Sequence, residues 1–227
     1  MTHNNRTNNQ FLTIAIDGPA ASGKGSLARA LADYFKFSYL DTGALYRRVA
    51  LQVIQKSIDP EDTQKIVEIA QGLTAHDGCS DNDLRCDTVG TMASIIARIQ
   101  SVRDALMDYQ RNFPKQSCQK GYKGSILDGR DIGTIIAPQA DIKFFVTAKL
   151  EIRAERRYKE LLSKGNSCTY STVLAEMRER DERDSVQLDA HLTPDHQKQE
   201  NFFLLDSSDL NAQQALDHAV GIVKNSL

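Results

Sequence analysis

Nine consecutive residues near the N-terminus read Gly18-Pro19-Ala20-Ala21-Ser22-Gly23-Lys24-Gly25-Ser26. They follow a short apolar run, Phe11 to Ile16, whose length and β-branched residues predict a buried strand. Residues 24–35 come next and carry apolar side chains at helical spacing. A strand, a glycine-rich loop with the order G-x-x-x-x-G-K and a helix together indicate a phosphate-binding loop.

The chemistry of this loop follows from its residue types. Glycines let the backbone curl until consecutive N–H groups face inward and form a nest for anionic oxygens. The helix that begins near Lys24 adds the partial positive charge of its N-terminus, and Lys24 adds a full charge for the outer phosphates. Gly25 stands where most phosphate loops have Ser or Thr, so a direct bond from the displaced Ser26 to Mg²⁺ is not expected.

The rest of the chain alternates between predicted strands and helices. Further apolar runs predict strands at Phe37 to Leu40, Ser125 to Asp128, Ile142 to Val146 and Phe202 to Asp206. Helical patterns cover a segment from Thr42, Asp59 to about Gln71, Met92 to Tyr109, 149–163, a segment from about Thr172, and a closing helix capped by Ser208 or Asp209. Asn112 to Lys123 is predicted to be a surface loop. This alternation predicts an α/β fold with a parallel sheet in three layers.

The amino-acid composition and net charge exclude several classes of protein. Of 227 residues, 41% are hydrophobic and 26% are charged, a globular mixture that excludes a disordered chain, a collagen-like fibre and a coiled-coil rod. The net charge, 28 − 30 = −2, excludes a strongly cationic nucleic-acid binder. No apolar run is long enough to span a membrane. Residues 1–10 are polar and show no signal peptide, so we expect them to form a disordered tail. One domain is expected over residues 11–227. We expect the protein to be a cytoplasmic monomer that binds neither nucleic acid nor membranes.

Neither the cysteines nor a cluster of acidic residues indicates a metal or redox site. The cysteines match neither zinc nor C-x-x-C spacing and are interpreted as free thiols of a reducing compartment: Cys79, Cys86, Cys118 and Cys168. Four acidic residues between 72 and 88 do not fit a calcium loop and are interpreted as a solvated connector: Asp77, Asp81, Asp83 and Asp87.

An arginine-rich helical hairpin is predicted between residues 149 and 184. On its first helix an apolar face holds Leu150, Ala154, Tyr158 and Leu161, and the opposite face carries Arg153, Arg156 and Arg157. After Gly165, the second helix carries Arg178, Arg180 and Arg183. Taken alone, the balanced charge predicts a solvated, ion-paired surface. Beside a phosphate loop it favours a lid that excludes water and supplies guanidinium groups to a transferring phosphoryl group.

Two further clusters combine polar residues with glycine. They are Asp41-Thr42-Gly43-Ala44-Leu45-Tyr46-Arg47 and Asp128-Gly129-Arg130-Asp131-Ile132-Gly133. Each follows a predicted strand, at the sheet edge where open α/β folds bind ligands. Their spacing alone also fits an ordinary capped turn.

Taken together, these motifs resemble the bacterial-type cytidylate kinases of the nucleoside monophosphate kinase group. The resemblance runs with gaps from Ile14 to Leu205 and rests on IDGPAASGKGS, LDTGALYR, LDGRDIGT and ERDERD. GKGS is typical of monophosphate kinases, so Gly25 agrees with this family. The resemblance implies a fold of the P-loop nucleoside triphosphate hydrolase type, with a monophosphate-binding region at about 42–115 and a lid at about 153–184.

The resemblance also implies an activity and a set of site residues. The γ-phosphoryl group of ATP would pass to CMP or dCMP, giving CDP or dCDP and ADP, with Mg²⁺ and with no ligand set of side chains dedicated to a metal. Residues 18–26 would hold the ATP phosphates. By this resemblance, Thr42, Arg47 and Arg130 would bind the acceptor phosphate or its sugar end, and Asp184 would contact the ribose. The base would be read by Ser94, Arg103 and Asp131. Arg156 and Arg180 would be the arginines of the lid. Lys24, Arg130, Asp131, Arg156 and Arg180 form the implied catalytic group.

The choice of base has a chemical reason. Cytosine offers an exocyclic amine donor and a ring-nitrogen acceptor, and uracil reverses both. A carboxylate at Asp131 would accept from the amine, while Arg103 or Ser94 would donate to the ring. Uracil would leave buried polar groups unpaired, at about 1–3 kcal/mol for each group.

Three features depart from the family pattern. Gln187 stands where an arginine is expected, His191-Leu192 replaces a Pro-Leu pair, and the segment between Gly72 and Ser94 is short. Gln187 puts acceptor affinity, or the choice between CMP and dCMP, in doubt. His191 and His196 are interpreted as surface histidines.

Other functions remain open at this point. A P-loop kinase for UMP or another small acceptor would share most of these motifs, as would a nucleotide-binding protein without turnover. A regulatory GTPase is disfavoured, because the D-x-x-G sequence of Asp87 to Gly90 has no strand before it and the chain has no N-K-x-D motif.

Overall fold

The computed structural model describes residues 11–73, 81–84 and 86–226. A five-stranded sheet with the order β2-β3-β1-β4-β5 contains β1 (Leu12–Asp17), β2 (Ser38–Asp41), β3 (Gly124–Gly129), β4 (Ile142–Thr147) and β5 (Phe202–Asp206). The strands are parallel, with Ile14 opposite both Ile126 and Ile142. The predicted parallel α/β sheet is therefore confirmed, and β1 lies at its centre.

Helices connect the strands. They are α1 (Lys24–Phe35), α2 (Thr42–Gln55), α3 (Thr63–Gln71), α4 (Asp81–Leu84), α5 (Asp87–Ile96), α6 (Gln100–Gln119), α7 (Leu150–Ser163), α8 (Tyr170–Asp189), α9 (Pro194–Gln197) and α10 (Ala212–Ser226). A π-helical turn spans 132–136 and a 3-10 turn spans 190–192. Among the described residues, no helix is both long and apolar enough to cross a lipid bilayer.

The chain divides into two compact units, Asp41–Asn112 and the remainder. The larger unit holds the sheet, and its core forms where α1 and α10 cover β1 and β4. Ile14 and Ile16 on β1, Leu31 on α1 and Val223 on α10 are fully buried in that core. Strands buried on both faces need continuous apolar runs, which is why β1 and β4 could be recognised in the sequence.

The smaller unit is helical and has a core of its own. Val49 and Val53 of α2, Ile66 of α3 and Ile96 of α5 are fully buried there, and Leu84 of α4 joins them. The predicted solvated connector is thus in part wrong, because residues 81–84 form a helical turn with a buried leucine. Residues 74–80, including Asp77 and Cys79, lie outside the described residues, as does the predicted tail at 1–10.

Several predicted helix boundaries are wrong. Helix α3 begins at Thr63 because the side chain of Asp62 accepts a hydrogen bond from the Lys65 amide, so Asp59 is not the cap. Helix α10 is capped by Asn211, whose side chain accepts from the Gln214 amide, while the Gln214 side-chain oxygen accepts from the Asn211 amide.

The segment around Pro114 differs most from prediction. One helix was expected over Met92 to Tyr109, but α5 ends at Ile96 and α6 runs from Gln100 to Gln119, through the predicted loop. Pro114 lies inside α6 although proline cannot donate the helical hydrogen bond. Gln110 and Ser117, seven residues apart and so on one helix face, are both buried.

Candidate active site

The phosphate loop has a backbone that only particular residues permit. Gly18 adopts φ +146°, and a Cβ atom there would lie 2.0 Å from the carbonyl oxygen of Val146 on β4. Ala21 and Gly23 also have positive φ, at 56° and 89°. The first amides of α1 have no side-chain cap, because Gly23 occupies the N-cap. The loop therefore presents backbone N–H groups and a helix N-terminus to an anion, as its sequence predicted.

Two polar groups lie beside this loop. The Lys24 ammonium donates to the Pro19 carbonyl at 3.4 Å, so the lysine folds back over the loop. Asp128, at the end of β3, places Oδ2 3.1 Å from where a Cβ atom of Gly25 would lie. Tyr39 donates to that same oxygen at 3.3 Å. A residue larger than glycine at position 25 would therefore crowd the carboxylate.

The residues beside the loop can be compared with the ligands that Mg²⁺ has in nucleotide sites. Mg²⁺ in nucleotide sites is held by one or two carboxylates, phosphate oxygens and water. Asp128 supplies a buried carboxylate at the start of α1, and Gly25 leaves space beside it. The residues present fit the ion, with Asp128 as the carboxylate that would hold it. The sequence reasoning did not assign Asp128, although its position at the end of a strand was a signal.

Charged side chains from three elements gather near Asp184 on α8. Arg130 donates from Nε to the Asp184 carboxylate at 2.8 Å, and Arg180 lies 4.0 Å from the same oxygen. Burial alone would raise the pKa of Asp184, but the charges of Arg130, Arg180 and Lys24 hold that pKa below its usual value. The structure thus brings together four predicted site residues: Lys24, Arg130, Arg180 and Asp184.

The loop that carries Arg130 and Asp131 is fixed by a buried carboxylate. Asp17, the last residue of β1, accepts from the amides of Ile132 and Gly133, both at 2.8 Å. Burial raises the pKa of Asp17 to about 7, against the lowering effect of those two amides. Asp131 is itself buried and starts the π-helical turn. Sequence reasoning assigned no role to Asp17.

Arg153 is buried, so the solvated surface that the hairpin's charge balance alone would suggest does not apply to it. It is 5% exposed, and it donates to both carboxylate oxygens of Asp181 on α8, at 3.0 Å and 2.6 Å. It also donates to the Ala20 carbonyl of the phosphate loop at 3.3 Å. Arg153 is buried because α8 and the phosphate loop pack on the helix face that carries it. Arg153 ties α7 and α8 to the phosphate loop.

Arg156 lies apart from the charged group around Asp184. Its guanidinium donates to the Ser207 side chain at 3.0 Å and to the Ser207 carbonyl at 2.6 Å, with a longer bond to the Leu210 carbonyl. Ser207 in turn donates to the carbonyl of Ser22 in the phosphate loop at 2.8 Å. Arg156 is therefore connected to the loop through Ser207, on the segment that follows β5.

His191 is not a surface residue, contrary to expectation. It is 1% exposed, its Nε2 lies 3.0 Å from the Arg130 carbonyl oxygen, and its ring stacks against His196 and Phe145. The prediction failed because the 3-10 turn that carries His191 folds back against the π-helical turn. His196 is half-buried. The side chain of Gln187 lies outside the described residues.

The smaller unit carries the remaining predicted residues. Thr42 is buried at the start of α2, and Arg47 donates to the Leu84 carbonyl at 2.9 Å. Ser94 of α5 donates to the Thr91 carbonyl, and Arg103 of α6 donates to the Ala97 carbonyl. Each predicted arginine thus has its guanidinium held by a main-chain oxygen of the same unit.

Comparison with known proteins settles which family shares these motifs. The family model described as cytidylate kinase matches residues 14–225. The chain belongs to the cytidylate kinase family. The resemblance stated from the sequence is therefore confirmed, and the match includes both the phosphate loop and the lid hairpin.

Members of the cytidylate kinase family match almost the full chain. A cytidylate kinase of Paramagnetospirillum magneticum is 49% identical over 92% of this chain and 96% of its own length. One from Rhodospirillum rubrum is 46% identical over 93% and 97%. Among solved structures, TT1252 from Thermus thermophilus has a TM-score of 0.52 at 17% identity, covering 96% of this chain and 98% of that chain. At that identity the likeness shows a shared fold.

Proposed function

We propose that this protein transfers the γ-phosphoryl group of ATP to CMP or dCMP, giving CDP or dCDP and ADP. The observation that carries the proposal is the group of cations from Lys24, Arg130 and Arg180 beside an uncapped helix N-terminus. Phosphoryl transfer needs positive charge around the migrating group more than it needs a dedicated base. Membership of the cytidylate kinase family supplies the acceptor.

The chemical step follows from the substrates. A phosphate oxygen of CMP forms a bond to the γ-phosphorus of ATP, and the bond from that phosphorus to the β,γ-bridging oxygen breaks. ADP leaves with the electron pair of that bond. The loop amides and Lys24 hold the donor, and the arginines stabilise the charge that spreads over the transferring oxygens. Mg²⁺, held beside Asp128, would supply further charge neutralisation on the phosphates.

We assign Arg130 to the acceptor phosphate, together with Thr42 and Arg47 of the smaller unit. The guanidinium of Arg130 is paired with Asp184. A phosphate is the stronger partner because it can accept two parallel hydrogen bonds and carries more charge. Asp184 would then be free to accept from the ribose. Base reading stays with Ser94, Arg103 and the buried Asp131.

The two lid arginines require different amounts of rearrangement. Arg180 already lies beside Asp184 and Arg130. Arg156 would have to leave its hydrogen bonds to Ser207 and Leu210 before it could reach a phosphoryl group. We propose the lid at about 153–184 and the monophosphate-binding region at about 42–115 as working divisions of one kinase domain at 11–227.

We propose further that the protein acts as a cytoplasmic monomer in pyrimidine nucleotide metabolism. Within the described residues, Cys86, Cys118 and Cys168 are free thiols, the state that a reducing compartment maintains. The acceptor itself assigns the protein to pyrimidine nucleotides. Light scattering during size-exclusion chromatography would test the monomer, since a dimer would double the measured mass.

A product assay tests the activity. Purified protein is mixed with ATP, Mg²⁺ and one acceptor at a time, chosen from CMP, dCMP, UMP, AMP and shikimate, and ADP release is followed. We expect rapid turnover with CMP or dCMP and much slower turnover with the others. Fastest turnover with UMP or shikimate would reassign the acceptor. ATP binding by calorimetry without ADP release from any acceptor would indicate a binding protein.

A further inference from the structure

The 3-10 turn after the lid helix places a buried imidazole beneath the loop that carries Arg130 and Asp131. His191 Nε2 lies 3.0 Å from the Arg130 carbonyl oxygen and 3.4 Å from Asp17 Oδ2. A carbonyl oxygen only accepts hydrogen bonds, so Nε2 carries the proton and donates. The tautomer is thereby fixed, with the Nε2–H group bound to the main chain of Arg130 and the Asp17 carboxylate nearby.

This contact completes a three-point attachment of the loop. Asp17 accepts from the amides of Ile132 and Gly133, while His191 binds the carbonyl of Arg130. Donor and acceptor groups on both sides of Asp131 are therefore anchored to buried side chains. The two side chains between these anchors are the ones assigned above to the acceptor, Arg130 and Asp131.

We propose that His191 is a positioning residue for the nucleoside monophosphate, which acts by holding the main chain of Arg130 so that Arg130 and Asp131 meet the acceptor together. This inference rests on the proposed function, because it presumes that Arg130 binds the acceptor phosphate. His191 touches no substrate. It connects the end of the lid helix α8 to the acceptor-binding loop, at a position where the family pattern has proline, which offers no donor.

Substitution of His191 by residues with amide side chains distinguishes the effect of the hydrogen bond from the effect of side-chain packing. In His191→Gln the side-chain amide nitrogen takes the place of Nε2 and can donate to the Arg130 carbonyl. In His191→Asn the amide nitrogen takes the place of Nδ1 and is too short to reach. His191→Phe keeps the stacking against Phe145 and His196 but has no donor. His196→Phe is the matched control, since His196 stacks on His191 but is not the group that binds the Arg130 carbonyl.

The test is steady-state kinetics with both substrates varied, together with thermal unfolding of each variant. We expect His191→Asn and His191→Phe to raise the KM for CMP about tenfold, the scale of one lost hydrogen bond, while the KM for ATP stays within about twofold. His191→Gln and His196→Phe should keep both constants near those of the parent protein. A purely structural role would instead reduce the active fraction, which lowers apparent kcat and leaves both KM values unchanged.

The same experiment distinguishes failure of this inference from failure of the proposed function. Arg130→Met is measured beside the histidine variants and should raise the KM for CMP more than any of them. If Arg130→Met leaves that KM unchanged, the role proposed for Arg130 is wrong. If Arg130→Met raises it and His191→Asn and His191→Phe do not, or if His191→Gln loses as much as His191→Phe, the positioning role of His191 is overturned.

Discussion

Lys24 shows how much of the site is decided by a single residue. Its side chain folds over the phosphate loop and its charge reaches Asp184. We expect Lys24→Ala to lower kcat by about 10²–10³, the usual cost of removing one donor that stabilises transition-state charge. The melting temperature should move little, because Lys24 is only half-buried and belongs to no core cluster. Lys159→Ala, which removes an exposed lysine of α7, is the control for simple loss of charge.

Asp131 is the residue whose loss should most clearly change the choice between CMP and UMP. Asp131→Ala should reduce the preference for CMP over UMP about tenfold or more, since each unsatisfied buried group costs about 1–3 kcal/mol. The ratio of kcat/KM for the two acceptors is the measurement. Lys24→Ala is a useful comparison, because it should slow both acceptors equally and leave that ratio intact. An unchanged ratio in Asp131→Ala would reassign base reading to other residues.

At the scale of elements, the α7–α8 hairpin combines an apolar core with one ion pair between a buried arginine and a partly buried carboxylate. Arg153 on α7 bridges to Asp181 on α8 and to the Ala20 carbonyl of the phosphate loop. Asp181→Ala would leave the Arg153 charge buried without its partner, and we expect a loss of about 2–4 kcal/mol in the free energy of unfolding. Urea unfolding measures this loss.

Glu179→Ala is the matched control for that experiment. Glu179 lies on the same helix and faces Arg183 at 3.8 Å, but it is largely exposed. Exposed pairs contribute about 0–1 kcal/mol, so the control should unfold close to the parent protein. Equal losses in Asp181→Ala and Glu179→Ala would mean that the bridge to Arg153 does not hold the hairpin closed.

The same hairpin shows where sequence reasoning succeeds and where it stops. Helical spacing, the apolar face with Ala154 and Leu161, and the stop at Gly165 follow from local rules, and the structure agrees with each. The burial of Arg153 does not follow, because its partner Asp181 is 28 residues away and its other partner belongs to the phosphate loop. The sequence predicts that a helix carries charge, but not which charge tertiary packing will bury.

Over the whole molecule, the features that can be recognised in the sequence are those that depend on a single short segment of the chain. The phosphate loop needs its glycines for backbone conformation, so GPAASGKGS could be interpreted without a structure. Asp17 and His191 lie 174 positions apart, and neither forms a motif. Their shared contact with the 129–133 loop arises only when the turn after α8 folds back beneath the sheet edge. The sequence therefore revealed the phosphate loop and left the support of the 129–133 loop unrecognised.

This buried pair also predicts how global stability depends on pH. Burial raises the pKa of Asp17 from 3.8 to about 7, so the folded state keeps a proton that the unfolded chain loses above about pH 4. The contribution of Asp17 to stability therefore falls as pH rises toward 7. Burial lowers the pKa of His191 below 6.5, so the unfolded state binds the extra proton and stability rises with pH up to that value. In the parent protein the two slopes oppose each other.

Removing the imidazole should expose the slope that belongs to Asp17. His191 faces Asp17, Asp131, Lys143 and His196, and it is not among the groups that shift the pKa of Asp17. The free energy of unfolding of His191→Gln should therefore fall between pH 5 and pH 7 more steeply than that of the parent protein, with a limit of about 1.4 kcal/mol per pH unit. Above about pH 7 the two curves should run parallel. Urea unfolding at pH 5, 6, 7 and 8 measures both curves, and parallel curves over the whole range would show that His191 is protonated equally in the folded and unfolded states.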